Sequence, residues 1–576
     1  MPFSTLPVAD SDTNLWVVID QLDAGWSTRS FPHLLDPRKL FIADNVQFPK
    51  DGLVSKRAGN VVYGNGTGLV GTGVRTLSAT RFYTGTPISG TLIIQNNGNI
   101  YTGVDLTGAF TSRGTGFSTT QPASFAQIFD PDFNGGGANA SDALYICDGS
   151  RVPQLWNGTT MVAINTGLGF PLNRAGGAAI TPKFCYAWEN HMVFAGEPTE
   201  PGAVYISDAF RPERFTGTNF TDTAGSSYVA LFPGDRDGKL GDVTGFASVG
   251  PYLIVFFRAG VVSLFNTGAY GGFQYRRNVV SSTVGCTSPF SIVEFDTYVV
   301  FFGGDRFYAT QGTPGDIVYL PDEVPSLYAQ NSKSVRPPEI VNLTTVESVR
   351  NDDEYWASYD FDGSGIQKRI AVFNRRVNGG WQYGAPTGGA WSRWPSGMHL
   401  GCAVRCGGAG DIKQIYWGAA DTDQIAIFDQ GVFGDLGNAI TVEIRTAQFF
   451  LDRPIWPKEV VYLYPLLVFD AGFGTFTSTS APYVVYDSSQ FNATQISVTI
   501  TPQGSLWGSF NWGSGVWSSS ATQTFVFGIP SWNQPGVAAP RGLSFGLGIV
   551  ESSTNPFNLI GFVAQVKVDE PQVGAL

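Results

Sequence analysis

The chain has 576 residues; 71 are glycine and 14% are aromatic, while only 14% are charged. This composition is poor in helix-favouring Glu and Lys, and it argues against a coiled coil or a helical solenoid. The net charge of −12 argues against a sequence-independent nucleic-acid binder, which needs a basic surface. Five scattered cysteines imply no disulfide framework and fit synthesis in a reducing cytoplasm.

Residues 1–45 are predicted to form an extended N-terminal segment with one short helix. Asp36-Pro37 resembles an N-cap followed by proline at the first helical position, which places the helix at residues 37–45. The segment shows neither a basic start followed by an apolar stretch nor an 18-residue apolar run. We therefore expect no secretory signal and no transmembrane helix.

Short strands punctuated by turns begin near residue 46. The segment 91–103 is a clear hairpin, since Asn96-Asn97-Gly98 separates two apolar runs. Similar units follow at intervals of about 40 to 60 residues, which is typical of a β-propeller. The chain is thus predicted to be all-β, with a propeller of six or seven degenerate blades over 46–438. A tandem of β-sandwiches gives similar local patterns, but the steady spacing favours the propeller.

Longer alternating strands follow in residues 439–576, with three tryptophans at 507, 512 and 517. Seven or eight alternating strands over this length predict a C-terminal two-layer β-sandwich, or platform domain. The tryptophans could form a carbohydrate-binding surface, although core packing is the commoner role of such residues.

Candidate metal sites are weak. Cys402 and Cys406 share one strand face and His399 is near, but no fourth ligand is evident, so core cysteines are the preferred interpretation. The loops 235–242 and 360–365 loosely resemble calcium loops, yet Asp-Gly is also an ordinary turn pair. We predict no metal ion and no cofactor.

Catalytic signatures are also missing from the sequence. It has no nucleophile elbow, Walker loop or dinucleotide fingerprint; His191 is better explained by packing in a strand, and nothing in the sequence pairs with His33. Glycoside hydrolysis would require paired carboxylates, for which the adjacent residues Asp352, Asp353 and Glu354 are candidates. We predict no catalytic residues and no enzyme; the alternative is a carbohydrate-binding or glycan-hydrolysing propeller.

Three segments, taken in order, resemble a known family. In residues 24–64 the pattern comprises Asn45-Val46, Gly52-Leu53, Lys56-Arg57 and Gly59, with Ala58 where the family pattern has proline. Residues 235–265 and 445–465 resemble a mid-propeller segment and the start of a closing C-terminal sheet. Together these segments are similar to the tail nozzle (tail tubular protein B, or tail hub) of short-tailed bacteriophages.

The resemblance implies a structural virion protein, assembled in the host cytoplasm, that forms a homohexameric ring in the viral tail. Such a ring would dock to the head-to-tail adaptor and to tail fibres or tailspikes, without stable membrane insertion. Viral DNA would pass transiently through its lumen during genome ejection. The acidic charge agrees with that role, because an acidic wall repels phosphate.

Overall fold

The computed structural model is all-β, as predicted from the sequence. It describes residues 14–29, 31–50, 52–63, 75–84, 89–103, 109–135, 141–172, 177–215, 227–230, 240–266, 275–321, 324, 327, 339–377, 380–382, 385–386, 388–395, 399–407, 413–429, 431–451, 456–470, 476–487, 489–492, 496–500, 522–526 and 541–568. The described helical elements are four short 3₁₀ turns, Pro32–Leu34, Phe133–Gly135, Thr166–Leu168 and Pro289–Ser291. No helix in these ranges is long and apolar enough to span a membrane.

In the structure the N-terminal segment that precedes the ring extends to residue 62. Its described part contains strands and the Pro32–Leu34 turn, and no helix forms at 37–45. Its strands are β1 (Asn14–Ile19), β2 (Leu40–Asp44), β3 (Val46–Lys50), β4 (Leu53–Lys56) and β5 (Gly59–Val62). The predicted helix was wrong because Asp36 closes a single turn, in which its side chain accepts the N–H of Arg38 and its carbonyl that of Lys39. The chain then pairs with a distant strand, so tertiary pairing overrides the local capping signal.

Five successive antiparallel sheets of four strands follow, each in simple chain order. The strands of the first three are β6 (Thr76–Thr84), β7 (Ser89–Asn96), β8 (Asn99–Gly103), β9 (Phe110–Thr115); β10 (Ser124–Asp130), β11 (Ser141–Cys147), β12 (Gln154–Trp156), β13 (Met161–Ala163); β14 (Phe184–Trp188), β15 (His191–Glu197), β16 (Glu200–Ile206) and β17 (Ser227–Ala230). Those of the next two are β18 (Val243–Val249), β19 (Tyr252–Phe257), β20 (Val261–Asn266), β21 (Tyr275–Ser281); β22 (Val293–Glu294), β23 (Val299–Phe302), β24 (Phe307–Thr310) and β25 (Val318–Tyr319). The predicted hairpin at 91–103 is confirmed, since Asn97 and Gly98 both have positive φ between β7 and β8.

Two further groups of strands continue the series. The sixth contains β26 (Glu347–Asn351), β27 (Glu354–Tyr359), β28 (Arg369–Asn374) and β31 (Ala390–Trp394), with the small hairpin β29 (Trp381–Gln382) and β30 (Ala385–Pro386) inserted. The seventh contains β32 (Leu400–Gly407), β33 (Lys413–Ala419) and β34 (Ile425–Asp429), and its fourth strand is β5 from the N-terminal segment.

The seven groups close into a β-propeller-like ring. The first strand of each group contacts the first strand of the next, and β32 of the last group contacts β6 of the first. Because β5 precedes the ring in sequence yet completes its last sheet, the two ends of the ring are joined by hydrogen bonds.

Most of the remaining strands lie in two sheets that share one core. They are β35 (Gly434–Asp435), β36 (Asn438–Ala439), β37 (Val442–Phe449), β38 (Lys458–Asp470), β39 (Phe476–Tyr486), β40 (Ser489–Asn492), β41 (Ile496–Ile500), β42 (Thr522–Val526), β43 (Phe545–Glu551) and β44 (Asn558–Val568), of which β35 and β36 extend the seventh ring sheet. One sheet joins β1, β3 and β4 to β44, β38 and β42; the other joins β31 of the ring through β2 to β37, β43 and β39. The three tryptophans at 507, 512 and 517 lie outside the described residues.

Arg57 fixes the ring side of the junction between the ring and these sheets. Its fully buried guanidinium donates to both carboxylate oxygens of Asp435, with Nη1 to Oδ1 at 2.8 Å, and its Nε donates to Asn45 Oδ1 at 3.0 Å. Asn60 Nδ2 donates to the same carboxylate at 2.6 Å. The guanidinium also lies over the Trp394 ring, 5.2 Å from its centroid. Arg57 thus ties the closing strand to the last two groups of the ring.

Lys56 fixes the other side of the junction. Its buried Nζ donates to Glu551 Oε2 at 2.8 Å and to the Ser553 carbonyl. Burial lowers the pKa of this amine, and the Glu551 carboxylate opposes that shift. Neighbouring side chains on an extended chain point to opposite faces. Lys56 and Arg57 therefore reach two different parts of the fold, the C-terminal sheets and the ring.

A methyl group at Gly59 is expected to disrupt closure of the ring. A Cβ there would lie 2.1 Å from the Gly434 carbonyl oxygen, and backbone cannot give way as a flexible side chain does. We expect Gly59→Ala to cost about 3 kcal/mol and lower the Tm in thermal unfolding. Gly202→Ala is the matched control, because a Cβ there meets nothing within 4 Å. An unchanged Tm for Gly59→Ala would contradict the closure described above.

Lys56→Met is expected to destabilise the protein by about 3 to 5 kcal/mol, because it leaves the Glu551 carboxylate buried without its cation. Replacing both residues, as Lys56→Met with Glu551→Leu, is expected to recover much of that loss. Denaturant unfolding of the single and double variants measures the difference. Lys368→Met, which removes a surface pair with Asp362, is the control and leaves the unfolding midpoint nearly unchanged. Equal midpoints for Lys56→Met and Lys368→Met would contradict the buried pair's role.

Candidate functional site

One face of the ring carries a cavity of about 610 Å³. Within each group of the ring, successive strands are antiparallel. The beginning of the first strand therefore lies at the same edge as the end of the second strand and the beginning of the third. Arg75 and Lys183 precede first strands, Glu347 begins one, and Arg258 and Gln367 lie between second and third strands. Residues far apart in the sequence therefore meet in one cavity, because each occupies a corresponding place in its sheet.

Two carboxylates in the cavity wall are engaged by local N–H groups. Asp148 accepts the N–H of Ser118 at 2.6 Å and that of Ser150 at 2.9 Å. Glu197 accepts the N–H of Thr181 at 2.5 Å. Both residues are 2% exposed, so their main effect is to hold the turns that shape the wall.

Glu347 differs from those carboxylates because its side chain has no hydrogen bond to any residue that the structure describes. Burial raises its pKa to about 8, although the Arg75 charge opposes that shift. Cys402 lies near it, and the pKa of this thiol is raised by burial and by the Glu347 charge. Near neutral pH the Glu347 side chain is therefore mostly a neutral carboxylic acid that can donate a hydrogen bond.

A second, smaller cavity of about 230 Å³ lies beside the first. Its wall consists largely of first strands, including Ser78, Ser124, Ser348 and Cys402. Glu347 and Phe290 line both cavities. The acid thus stands where the two spaces meet inside the ring.

The carboxylates proposed from the sequence lie on the opposite face. Asp352, Asp353 and Glu354 follow the end of β26, while Glu347 begins that strand at the cavity. Asp352 pairs with Arg405, and Asp353 pairs with Arg375 and with Arg376. The sequence hypothesis of a catalytic pair among these three residues therefore finds no support from their position.

Glu354 is buried among donors. It accepts from Trp356 Nε1 at 2.8 Å and from Gln47 Nε2 at 3.3 Å, and burial raises its pKa. Gln47 belongs to β3, so this acid links the sixth ring sheet to the N-terminal segment. Its role is structural.

The candidate metal ligands do not converge. Cys402 is buried and free, the side chain of Cys406 lies outside the described part, and the ring of His399 contacts Asp421. Among the described residues, no group of three or more His, Cys, Asp or Glu side chains could hold a metal ion.

The described Asp-rich loop is a turn. In 360–365, buried Asp360 accepts the N–H groups of Asp362, Gly363 and Gly365 at 3.2, 2.9 and 2.8 Å. Most of the other loop, residues 235–239, lies outside the described part. The turn interpretation is thus supported for 360–365 alone.

Of the other two histidines, His191 is buried and His33 is exposed. His191 is buried, donates from Nδ1 to the Ser207 carbonyl at 2.6 Å, and has its pKa lowered by burial. His33 lies between Phe31 and Phe450, with ring centroids 5.9 and 5.6 Å away. The packing interpretation from the sequence is confirmed for His191.

Sequence reasoning missed Glu347, Arg75, Lys183, Arg258 and Gln367. None of them belongs to a catalytic or metal-binding motif. The available signal is periodic: these residues recur at or just before the start of first strands, or between second and third strands of the repeating unit. Alignment of the units with each other would have brought them together.

No family model matches the chain, and no curated protein matches it. Similar solved structures include a crystal structure of BBS1N in complex with ARL6DN, soaked with mercury, at 10% identity and a TM-score of 0.36; the match covers 65% of this chain and 98% of that one. Another is exo-β-1,3-galactanase from Phanerochaete chrysosporium with galactose, at 12% identity and a TM-score of 0.22, covering 69% of this chain and 98% of that one. Likenesses this weak carry no argument about function.

Glu347 is expected to make stability depend on pH. Its pKa rises from 4.5 to about 8 on folding, so the folded state retains a proton that the unfolded state loses between those values. The neutral acid's contribution is complete below about pH 4.5 and is lost as the pH rises through about 8. Relative to Glu347→Gln, the wild type should therefore lose Tm steadily from about pH 5 to about pH 8. Parallel Tm profiles for the two proteins would contradict this assignment.

Proposed function

We propose that the chain is a structural virion protein of the tail-nozzle type found in short-tailed bacteriophages. In this proposal a seven-bladed propeller and a C-terminal β-sandwich platform form one subunit of a homohexameric ring. The ring docks to the head-to-tail adaptor and to tail fibres or tailspikes, and viral DNA passes through its lumen. The observation that carries the proposal is the ordered resemblance of residues 24–64, 235–265 and 445–465 to that family.

The structural roles of the resembling residues support the proposal. Residues Leu40–Asp44 of the first segment pair with Glu443–Thr446, so the first and third segments meet in one sheet. The Lys56-Arg57 pair is buried at the junction, where it contacts Glu551 and Asp435. The residues that carry the resemblance thus belong to the framework of the fold and not to its surface.

Charge and surface composition also support the proposal. Six copies with a net charge of −12 each would carry −72, which repels DNA phosphates from a shared lumen. The N-terminal 3₁₀ turn presents Phe31 and Leu34, which are 56% and 66% exposed. Exposed large apolar side chains on neighbouring residues are typical of a surface that another subunit covers.

A second candidate function follows from the cavity. A glycan-binding or glycan-hydrolysing propeller would place Glu347 at its centre, as a neutral acid able to protonate a leaving oxygen. Release of reducing ends from host surface polysaccharide by the wild type, but not by Glu347→Gln, would favour this function. We propose the structural role first, with no catalytic residue.

Assembly tests the proposal directly. We expect light scattering to show a particle of six copies of 61.9 kDa, about 371 kDa, with ring-shaped views in negative stain, for the chain alone or after addition of the adaptor. A chain that stays monomeric in both conditions would contradict the nozzle.

Phe31→Ser with Leu34→Ser is expected to abolish the large particle while leaving the Tm of the monomer unchanged, because both side chains are exposed. Phe129→Ser, a 57% exposed residue of β10 on the ring, is the matched control and should still assemble. If Phe129→Ser alone failed to assemble, the subunit interface would lie on the ring and not at the N-terminal 3₁₀ turn.

A further inference from the structure

Three cations line the large cavity of a strongly acidic protein. Arg75, Lys183 and Arg258 each come from a different part of the ring, and none of their side chains makes a hydrogen bond or ion pair with any residue that the structure describes. Arg75 is partly buried beside Glu347, while Lys183 and Arg258 lie exposed at the mouth. Cations collected around one cavity, with no carboxylate in hydrogen-bonding contact with them among the described residues, favour an anionic ligand.

The wall also holds an unsatisfied acceptor. Gln367 is 1% exposed; its Nε2 donates to the Thr345 carbonyl at 2.7 Å, but its Oε1 has no partner among the described residues. A buried amide oxygen without a partner destabilises the fold, and a bound donor would recover that loss. A hydroxyl group supplies such a donor.

We propose that this cavity binds a small hydroxylated carboxylate, the chemistry of an acidic sugar such as a uronic acid unit. The carboxylate would face Arg75, Lys183 and Arg258, and a sugar hydroxyl would donate to Gln367 Oε1. A volume of about 610 Å³ lies within the usual range of small-molecule sites. This site goes beyond the tail-nozzle role and does not depend on it.

The acids of the cavity are compatible with such a ligand. The carboxylates of Asp148 and Glu197 accept hydrogen bonds from backbone N–H groups of the wall. Glu347, mostly neutral near pH 7, offers a donor where an ionised carboxylate would repel the ligand. Asp242, exposed at the mouth, is the remaining acid in the described lining.

Calorimetric titration of the full chain at about pH 6.5 tests the site. We expect galacturonate to bind at least tenfold more tightly than galactose, which lacks the carboxylate, and than acetate, which lacks the hydroxyls. The ligand could be the end of an acidic polysaccharide or a free sugar acid, and titration with trigalacturonate distinguishes them. If trigalacturonate binds at least as tightly as galacturonate, the ligand is a polysaccharide end. If only galacturonate binds, the ligand is a free sugar acid. Either result supports the site.

Variants locate the binding. Lys183→Gln and Arg258→Gln are each expected to weaken galacturonate at least tenfold. Lys368→Gln and Arg276→Gln, which remove cations outside the cavity lining, are the matched controls and should bind as the wild type does. Unfolding curves that match the wild type show that each variant is folded.

Three outcomes would overturn the proposal. The first is no heat of binding when galacturonate or trigalacturonate is added to the folded chain. The second is equal affinity for acetate, inorganic phosphate and galacturonate. The third is equal weakening of galacturonate binding by the cavity variants and the control variants. The second would indicate an anion site without recognition of hydroxyls.

Discussion

Two consecutive basic residues, Lys56 and Arg57, form the junction on which the fold depends. Both are buried, and each is neutralised by an acid that lies far along the chain, Glu551 for the first and Asp435 for the second. Burying a charge is costly unless it is paired and hydrogen-bonded, so these positions accept only a geometry that satisfies both side chains. The short stretch that carries them therefore fixes the C-terminal sheets and the closing strand of the ring together.

That junction explains how the cavity is held open. A ring of separate sheets keeps its shape only if its last sheet is closed, and here closure is supplied by Gly59–Val62 from the N-terminal segment. Arg393 strengthens the same region by donating to both Asp44 oxygens, at 2.9 and 2.7 Å, and to Glu339 at 2.8 Å.

Local chemistry made part of this fold predictable. The hairpin at 91–103 follows from Asn97-Gly98 alone, and the regular spacing of strands indicates the ring. The closing strand was not predictable, because its partner Ala426–Asp429 lies at the far end of the ring in sequence. The site was missed for the same reason: Glu347 has no neighbouring signal, whereas the conspicuous acids 352–354 lie on the opposite face.

Hydrogen exchange of the full chain, read by mass spectrometry, tests the junction most directly. If residues 53–62 join the two bodies, their amides should exchange only through global unfolding, as slowly as those of their partners 426–429 and 558–559. Fast exchange of 53–62 through local opening, while Leu92–Ile94 in the first ring sheet stays protected, would contradict the account, because the ring would then hold together without its closing strand.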